Sequence, residues 1–310
     1  MSALNRAGWR SASELLLILG ALANACGGAQ PSGNQAEINA PASAAPPPKS
    51  DLSNSLSGLR EKLSAGEKLT ELNLGAKGFG PKLGSLLAES PALTSLASLD
   101  VSDNDLGTEG ARSLAGSPHL GGLRELDLGG NDIGDEGAEA IAQAKIWAAL
   151  ETLNVSGNSI TSRGTTALTR GALGRLSSLD LSMNGIGDEG IGALASSQLA
   201  LNSLYLLGCE IGPAGAKILA KAKPLKKLAV LALSGNNLGD EGAEALAKTT
   251  ALQNLQTLDL CANGIGELGA LALAQSNQLK KLKVIELFGN EIGSRGTAAL
   301  RKRFGSGLHL

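Results

Sequence analysis

Apolar residues along this chain follow two alternating rhythms, and the alternation itself repeats. From residue 69 onward a short stretch reads L-x-x-L-x-L-x-x-N, as in Leu123-Arg124-Glu125-Leu126-Asp127-Leu128-Gly129-Gly130-Asn131 and again from Leu255 to Asn263. A second stretch follows each time and reads I-G-D-E-G-A-x-A-L-A, as from Leu238 to Ala247. The first has the period of two that puts alternate side chains on one face of a strand. The second has helical composition with one apolar face. The pair recurs nine times over residues 69–304, at a spacing of about 27 residues. One short strand cannot bury two leucines by itself, so the units are predicted to stack into a parallel sheet.

The recurring polar position marks where the chain leaves the strand. It is filled by Asn104, Asn131, Asn158, Asn184, Asn236, Asn263 and Asn290, with Lys77 and Cys209 in the two remaining registers. An amide there both donates and accepts, so these residues are predicted to form a ladder that satisfies backbone groups inside the coil. A lost rung would leave buried polar groups unpaired, at about 1–3 kcal/mol. The glycines that follow, Gly134 and Gly239, allow a turn that a Cβ would hinder. Asp135, Asp188 and Asp240 then stand where each helix wants an N-cap.

The stack also needs ends. Residues 51–68 are predicted to form an N-terminal capping helix, starting at Asp51 with Leu52, Leu56, Leu59 and Leu63 on one stripe. At the other end Phe304 is expected to cover the last layer, and residues 305–310 read as a tail without a capping unit.

These features resemble leucine-rich repeats of the ribonuclease-inhibitor-like class over residues 69–304. The resemblance implies an α/β solenoid, a horseshoe of about nine repeats with parallel strands on the concave face and helices on the convex face. It also implies a protein partner held on the concave sheet.

The first 50 residues have a different layout. Arg6 and Arg10 precede an apolar run from Leu15 to Ala23, which is too short to span a bilayer and is followed by small residues and Cys26. Residues 1–25 resemble a bacterial lipoprotein signal peptide, which implies that Cys26 becomes a lipidated first residue. Leu22 stands four residues before Cys26 rather than three, and Asn24 occupies a position where small residues are usual. Cleavage after Ala23-Asn24-Ala25 is the alternative, giving a secreted protein without an anchor. Residues 26–50 hold Cys26 and a linker rich in Pro, Ala and Ser, including Pro46-Pro47-Pro48, which cannot bury enough apolar surface to fold. The expected location is the bacterial cell envelope, at the outer membrane or in the periplasm, with membrane attachment through the lipid.

Composition sharpens the picture in three ways. Gly, at 42 residues, reflects a backbone turned sharply and often, while aromatics at 2% leave the core to aliphatic residues. A formal net charge of -2 lacks the basic footprint of nucleic-acid binding, so no nucleic-acid partner is expected. The chemistry of a catalytic or cofactor site is also missing from the pattern. His119 and His309 lie near no nucleophile or carboxylate in any repeat register. Cys209 and Cys261 sit two repeats apart, roughly 9–10 Å at strand spacing, too far for a disulfide. No metal-ligand spacing occurs, and the glycine-rich stretches read as repeat turns rather than phosphate loops. No metal, cofactor or catalytic residue is expected.

The outward positions of each strand are the third, fifth and seventh of the motif. The fifth row runs Asn73, Asp100, Asp127, Asn154, Asp180, Tyr205, Ala232, Asp259 and Glu286: five carboxylates and no base. At strand spacing they would make a negative stripe that favours a basic partner, unless Asp is simply a common occupant of this position. Tyr205, Leu207, Val230, Ala232, Val284 and Phe288 form an apolar cluster in the last four repeats, either a binding patch or a surface covered by the C-terminal segment. The function expected is a non-catalytic interaction module. The units also resemble those of Ran-type GTPase-activating proteins, a role that export from the cytoplasm argues against, and an envelope hydrolase is the least supported reading.

Overall fold

The computed structural model describes residues 55–65 and 68–310. The signal segment 1–25, the candidate lipidation site Cys26, the linker 26–50 and the first residues of the cap at 51–54 lie outside the described residues. None of the described helices is long and apolar enough to cross a membrane.

Ten strands form one parallel sheet in strict chain order, each paired with the next. They are β1 (Glu71–Asn73), β2 (Ser98–Asp100), β3 (Glu125–Asp127), β4 (Thr152–Asn154), β5 (Ser178–Asp180), β6 (Ser203–Tyr205), β7 (Val230–Ala232), β8 (Thr257–Asp259), β9 (Val284–Glu286) and β10 (Leu308–His309). The middle residue of every strand from β1 to β9 is apolar and buried, from Leu72 through Leu126 and Leu204 to Ile285. The flanking residues face outward, as the period of two requires.

Ten helices alternate with the strands: α1 (Leu56–Ser64), α2 (Lys82–Ala88), α3 (Gly107–Ala115), α4 (Gly134–Gln143), α5 (Ser162–Arg170), α6 (Gly187–Ala195), α7 (Pro213–Leu219), α8 (Gly239–Ala247), α9 (Glu267–Gln275) and α10 (Gly293–Phe304). From α2 to α10 each packs on its sequence neighbours, so the molecule is an open α/β solenoid whose core is a continuous column of Leu, Ile, Val and Ala. Trp147, in the turn before β4, is fully buried in that column.

At the N-terminal end, α1 is capped by Ser55, whose hydroxyl accepts a hydrogen bond from the Gly58 N–H at 3.3 Å, and it buries Leu59 and Leu63. The C-terminal end differs from expectation. Residues 305–310 are not a tail outside the fold. Gly305 adopts φ +53°, a conformation that favours glycine, and redirects the chain after α10. Leu308 then pairs with Ile285 and His309 with Glu286, adding a tenth strand in register. Phe304 packs half-buried against the column, and the Arg303 guanidinium stacks 4.9 Å from its ring centroid. That guanidinium also donates to the carbonyls of Leu273, Ala274, Ser276 and Leu279 at 2.7–3.2 Å, at the end of α9 and in the turn beyond it.

Candidate binding face

Each outward side chain is held in place by the turn that ends its strand, and the asparagine position organises that turn. Asn131 is fully buried. Its Nδ2 donates to the carbonyls of Val101, Leu128 and Gly129 at 2.9–3.0 Å, and its Oδ1 accepts from the N–H groups of Asn104 and Leu106 at 3.1 and 3.2 Å. One amide thus spans two repeats. Asn104, Asn158, Asn184, Asn236, Asn263 and Asn290 repeat the arrangement, each donating to a carbonyl one repeat back. Cys209 interrupts it. Its sulfur donates to Leu181 O at 3.2 Å, but it lacks the paired amide acceptor, and Ile186 N–H turns to Asn184 O at 2.9 Å instead. Burial pushes the Cys209 thiol up to about 12. Lys77, in the first register, is exposed and takes no part.

The aspartates of the convex side serve a different helix from the one predicted. Asp135 does not cap its own helix α4. Its carboxylate accepts from Thr161 N–H at 2.8 Å, Thr161 hydroxyl at 2.7 Å and Gly164 N–H at 2.9 Å, at the start of α5 in the next repeat. Burial pushes this carboxyl up, but the hydrogen bonds from Thr161 and Gly164 outweigh it and hold the group below its usual range. Asp240 accepts in the same way from Gly266 and Gly269 at the start of α9, and Asp188 from Gly212 ahead of α7. The repeats therefore come in pairs. Those opening α4, α6 and α8 begin with a glycine at φ +64°, +58° and +58° and supply the aspartate. Those opening α5, α7 and α9 begin from extended backbone at Thr161, Gly212 and Gly266 and receive it.

On the open face of the sheet, the fifth-position carboxylates are tied to their own turns. Asp100, Asp127, Asp180 and Asp259 each accept a hydrogen bond at 2.8–3.0 Å from the N–H two residues on. Asn73 and Asn154 make the same contact, at 3.2 and 2.9 Å, and each also donates sideways to a neighbouring Asp, Asn73 to Asp100 at 2.7 Å and Asn154 to Asp127 at 3.1 Å. Asp and Asn thus share a backbone role here, which accounts for their prevalence in this row. The charge remains. Burial, with smaller repulsion from Asp100 and Asp180, pushes the Asp127 carboxyl up to about 6, and burial also raises Asp180.

The apolar residues of the last repeats are less exposed than the sequence suggested. Tyr205, Leu207, Val230, Ala232 and Val284 are half-buried, because neighbouring strands about 4.8 Å apart shield one another's side chains. Phe288 alone among them stands out, at 46% exposed. The C-terminal segment does not fold over the sheet; it extends it as β10. Burial, aided by the neighbouring Asp180 carboxylate, raises the Tyr205 phenol.

Beside that extension lies a grouping not drawn from the sequence pattern. Asp259 and Cys261 on β8 and its following turn, and Glu286 on β9, place a carboxylate oxygen, a sulfur and a second carboxylate oxygen within 4.8 Å of one another. His309, expected to have no carboxylate neighbour, places Nδ1 3.5 Å from Glu286 Oε1, because β10 continues the fifth row. Asp259, Cys261 and Glu286 come from two neighbouring strands, and only His309 comes from the segment expected to be a tail. Burial and the nearby Asp259 carboxylate raise Glu286, opposed by His309; the same two influences raise the Cys261 thiol.

The leucine rich repeat family model matches six segments of the chain: residues 92–115, 123–142, 149–168, 176–195, 225–247 and 251–274. The chain thus contains leucine-rich repeats. The stretch between residues 195 and 225, which carries no match, contains the unit in which Cys209 replaces asparagine and the spacing contracts to 25 residues. Such repeats are typically non-catalytic interaction modules, and no enzyme family is indicated. No curated protein matches the chain.

Proposed function

We propose that this protein is a non-catalytic interaction module of the ribonuclease-inhibitor-like class, tethered to the bacterial cell envelope through Cys26, that holds a basic protein or peptide on its concave sheet. The observation that carries the reading is the fifth-position row. Asp100, Asp127, Asp180, Asp259 and Glu286 stand along one face, the four aspartates fixed by their own turns and Glu286 beside His309, and no Lys or Arg occupies the row. A rigid line of partly desolvated carboxylates steers and orients a cationic ligand. Phe288, with Tyr205 and Leu207 further along, supplies an apolar anchor beside it. The tether rests on the signal-like layout ahead of Cys26 and on the proline-rich stretch behind it.

Two measurements test these parts separately. Mass spectrometry of the mature N-terminus should find a diacylglycerol-modified Cys26; an unmodified start at Cys26 would remove the anchor and leave a secreted protein. Crosslinked partner from the membrane fraction should fall off when Phe288→Ala and Tyr205→Ala are made. Undiminished crosslinking with the fold intact would rule out the apolar anchor.

A further inference from the structure

We propose that Asp259, Cys261, Glu286 and His309 form a zinc site that clamps the C-terminal end of the sheet. These four residues lie on the open face of three consecutive strands, and they offer two carboxylates, a thiol and an imidazole. The set is not merely acidic: a thiol and an imidazole together select a borderline-soft ion such as zinc over calcium or magnesium. Ligand atoms around a tetrahedral zinc stand about 3.3–3.8 Å apart, given metal–ligand distances of ~2.0–2.3 Å. The 3.5 Å between His309 Nδ1 and Glu286 Oε1 already has that length. The Asp259, Cys261 and Glu286 donor atoms, all within 4.8 Å, need only a short contraction by side-chain rotation, whereas His309 meets the group through Glu286 and must swing its imidazole toward the other two. Two of the four are oriented beforehand. The Asp259 carboxylate is held by the Cys261 N–H at 2.9 Å and by the Ser234 hydroxyl, and the His309 backbone is fixed by pairing with β9.

On binding, the Cys261 thiol gives its proton to solvent and its sulfur takes zinc in its place, while the carboxylates bind as anions and the imidazole as the neutral base. The physical benefit is at the edge. β10 has only two residues in the ladder. A metal shared by β8, β9 and β10 would bind the last strand to two others at once.

Cobalt(II) serves as the spectroscopic probe and zinc as the thermodynamic one, both on the full chain under reducing conditions. Cobalt should give tetrahedral d–d absorption with a thiolate-to-metal charge-transfer band, and zinc should displace it. Zinc should raise the melting temperature. The band should persist in Cys26→Ser and disappear in Cys261→Ser, and His309→Ala should weaken zinc binding at least tenfold. Cys261→Ser is a mild change, because Ser102, Ser156, Ser182 and Ser234 already occupy the same position in other repeats. Absence of the band, a band that survives Cys261→Ser, or a zinc-induced rise in melting temperature equal in Cys261→Ser and wild type would overturn the proposal. Unchanged affinity in His309→Ala would remove the imidazole from the site.

Discussion

A buried asparagine that serves two repeats at once is the smallest unit of this architecture. The Asn131 side chain makes five hydrogen bonds, to backbone groups of its own repeat and of the one before it. Asn131→Ala leaves buried carbonyls and N–H groups without partners and should cost about 1–3 kcal/mol or more, read as a lowered midpoint in urea. The converse holds at Cys209, where Cys209→Asn would return an acceptor to the Asn184 and Ile186 N–H groups. It should stabilise by about 0.5–2 kcal/mol, as restoring a repeat's consensus commonly does. Asp127 carries a different residue-scale cost. Burial pushes its carboxyl from 3.8 to about 6, so between those values the folded chain holds a proton that the unfolded chain releases. Its contribution to stability is full below about pH 4 and is lost as pH rises through about 6. Asp127→Asn keeps the turn contact, as Asn73 and Asn154 show, and should raise stability at neutral pH on the order of 1–2 kcal/mol, with little effect at pH 4. Denaturation at the two pH values checks the sign.

At the scale of elements, strands were easier to read than their connections. Leucines two apart, followed by asparagine every 27 residues or so, leave one reading, since a slip of one residue would expose every leucine. The aspartates after Gly134, Gly187 and Gly239 were legible as caps, but not as caps for the neighbouring helix. That relation is lateral, between repeats, and a cap motif read along the chain points only to its own helix. Asp240→Ala should therefore loosen α9 rather than α8. Two backbone hydrogen bonds to a carboxylate are lost, for about 1–2 kcal/mol, and faster hydrogen exchange should concentrate at the start of α9. Exchange that rises first in α8 would contradict the pairing of repeats. The tenth strand was hidden for a related reason. Leu308-His309-Leu310 carries the L-x-L of the motif, but it stands 23 residues after Ile285 rather than 27, and Gly305 replaces the leucine ahead of it. With that strand unread, His309 had no neighbour, although the repeat register alone sets Asp259, Cys261 and Glu286 side by side.

For the whole molecule, stacking fixes the outward row as a line. Each strand sets its neighbour's register, so five carboxylates chosen one per repeat become a single surface feature. Composition alone shows none of this, because a net charge of -2 hides a face on which acidic groups outnumber basic ones. Exposed apolar surface was harder to judge from sequence, since whether Tyr205 or Val230 is shielded depends on what stands one strand away. The most direct test of the account is selection of random peptides on the immobilised protein at pH 7.5, where Asp127 is ionised. The selected peptides are then titrated against wild type and the triple variant Asp100→Asn, Asp127→Asn, Asp180→Asn. The substitutions keep each turn's hydrogen bond and remove the charge, together with the sideways acceptors that Asp100 and Asp127 offer to Asn73 and Asn154. Peptides enriched in Lys and Arg, binding the triple variant about tenfold more weakly, are the predicted result, from three charges at roughly 0.5 kcal/mol each. Peptides without basic residues, or equal affinity for the two proteins, would contradict the assignment of this face as the binding surface for a basic partner.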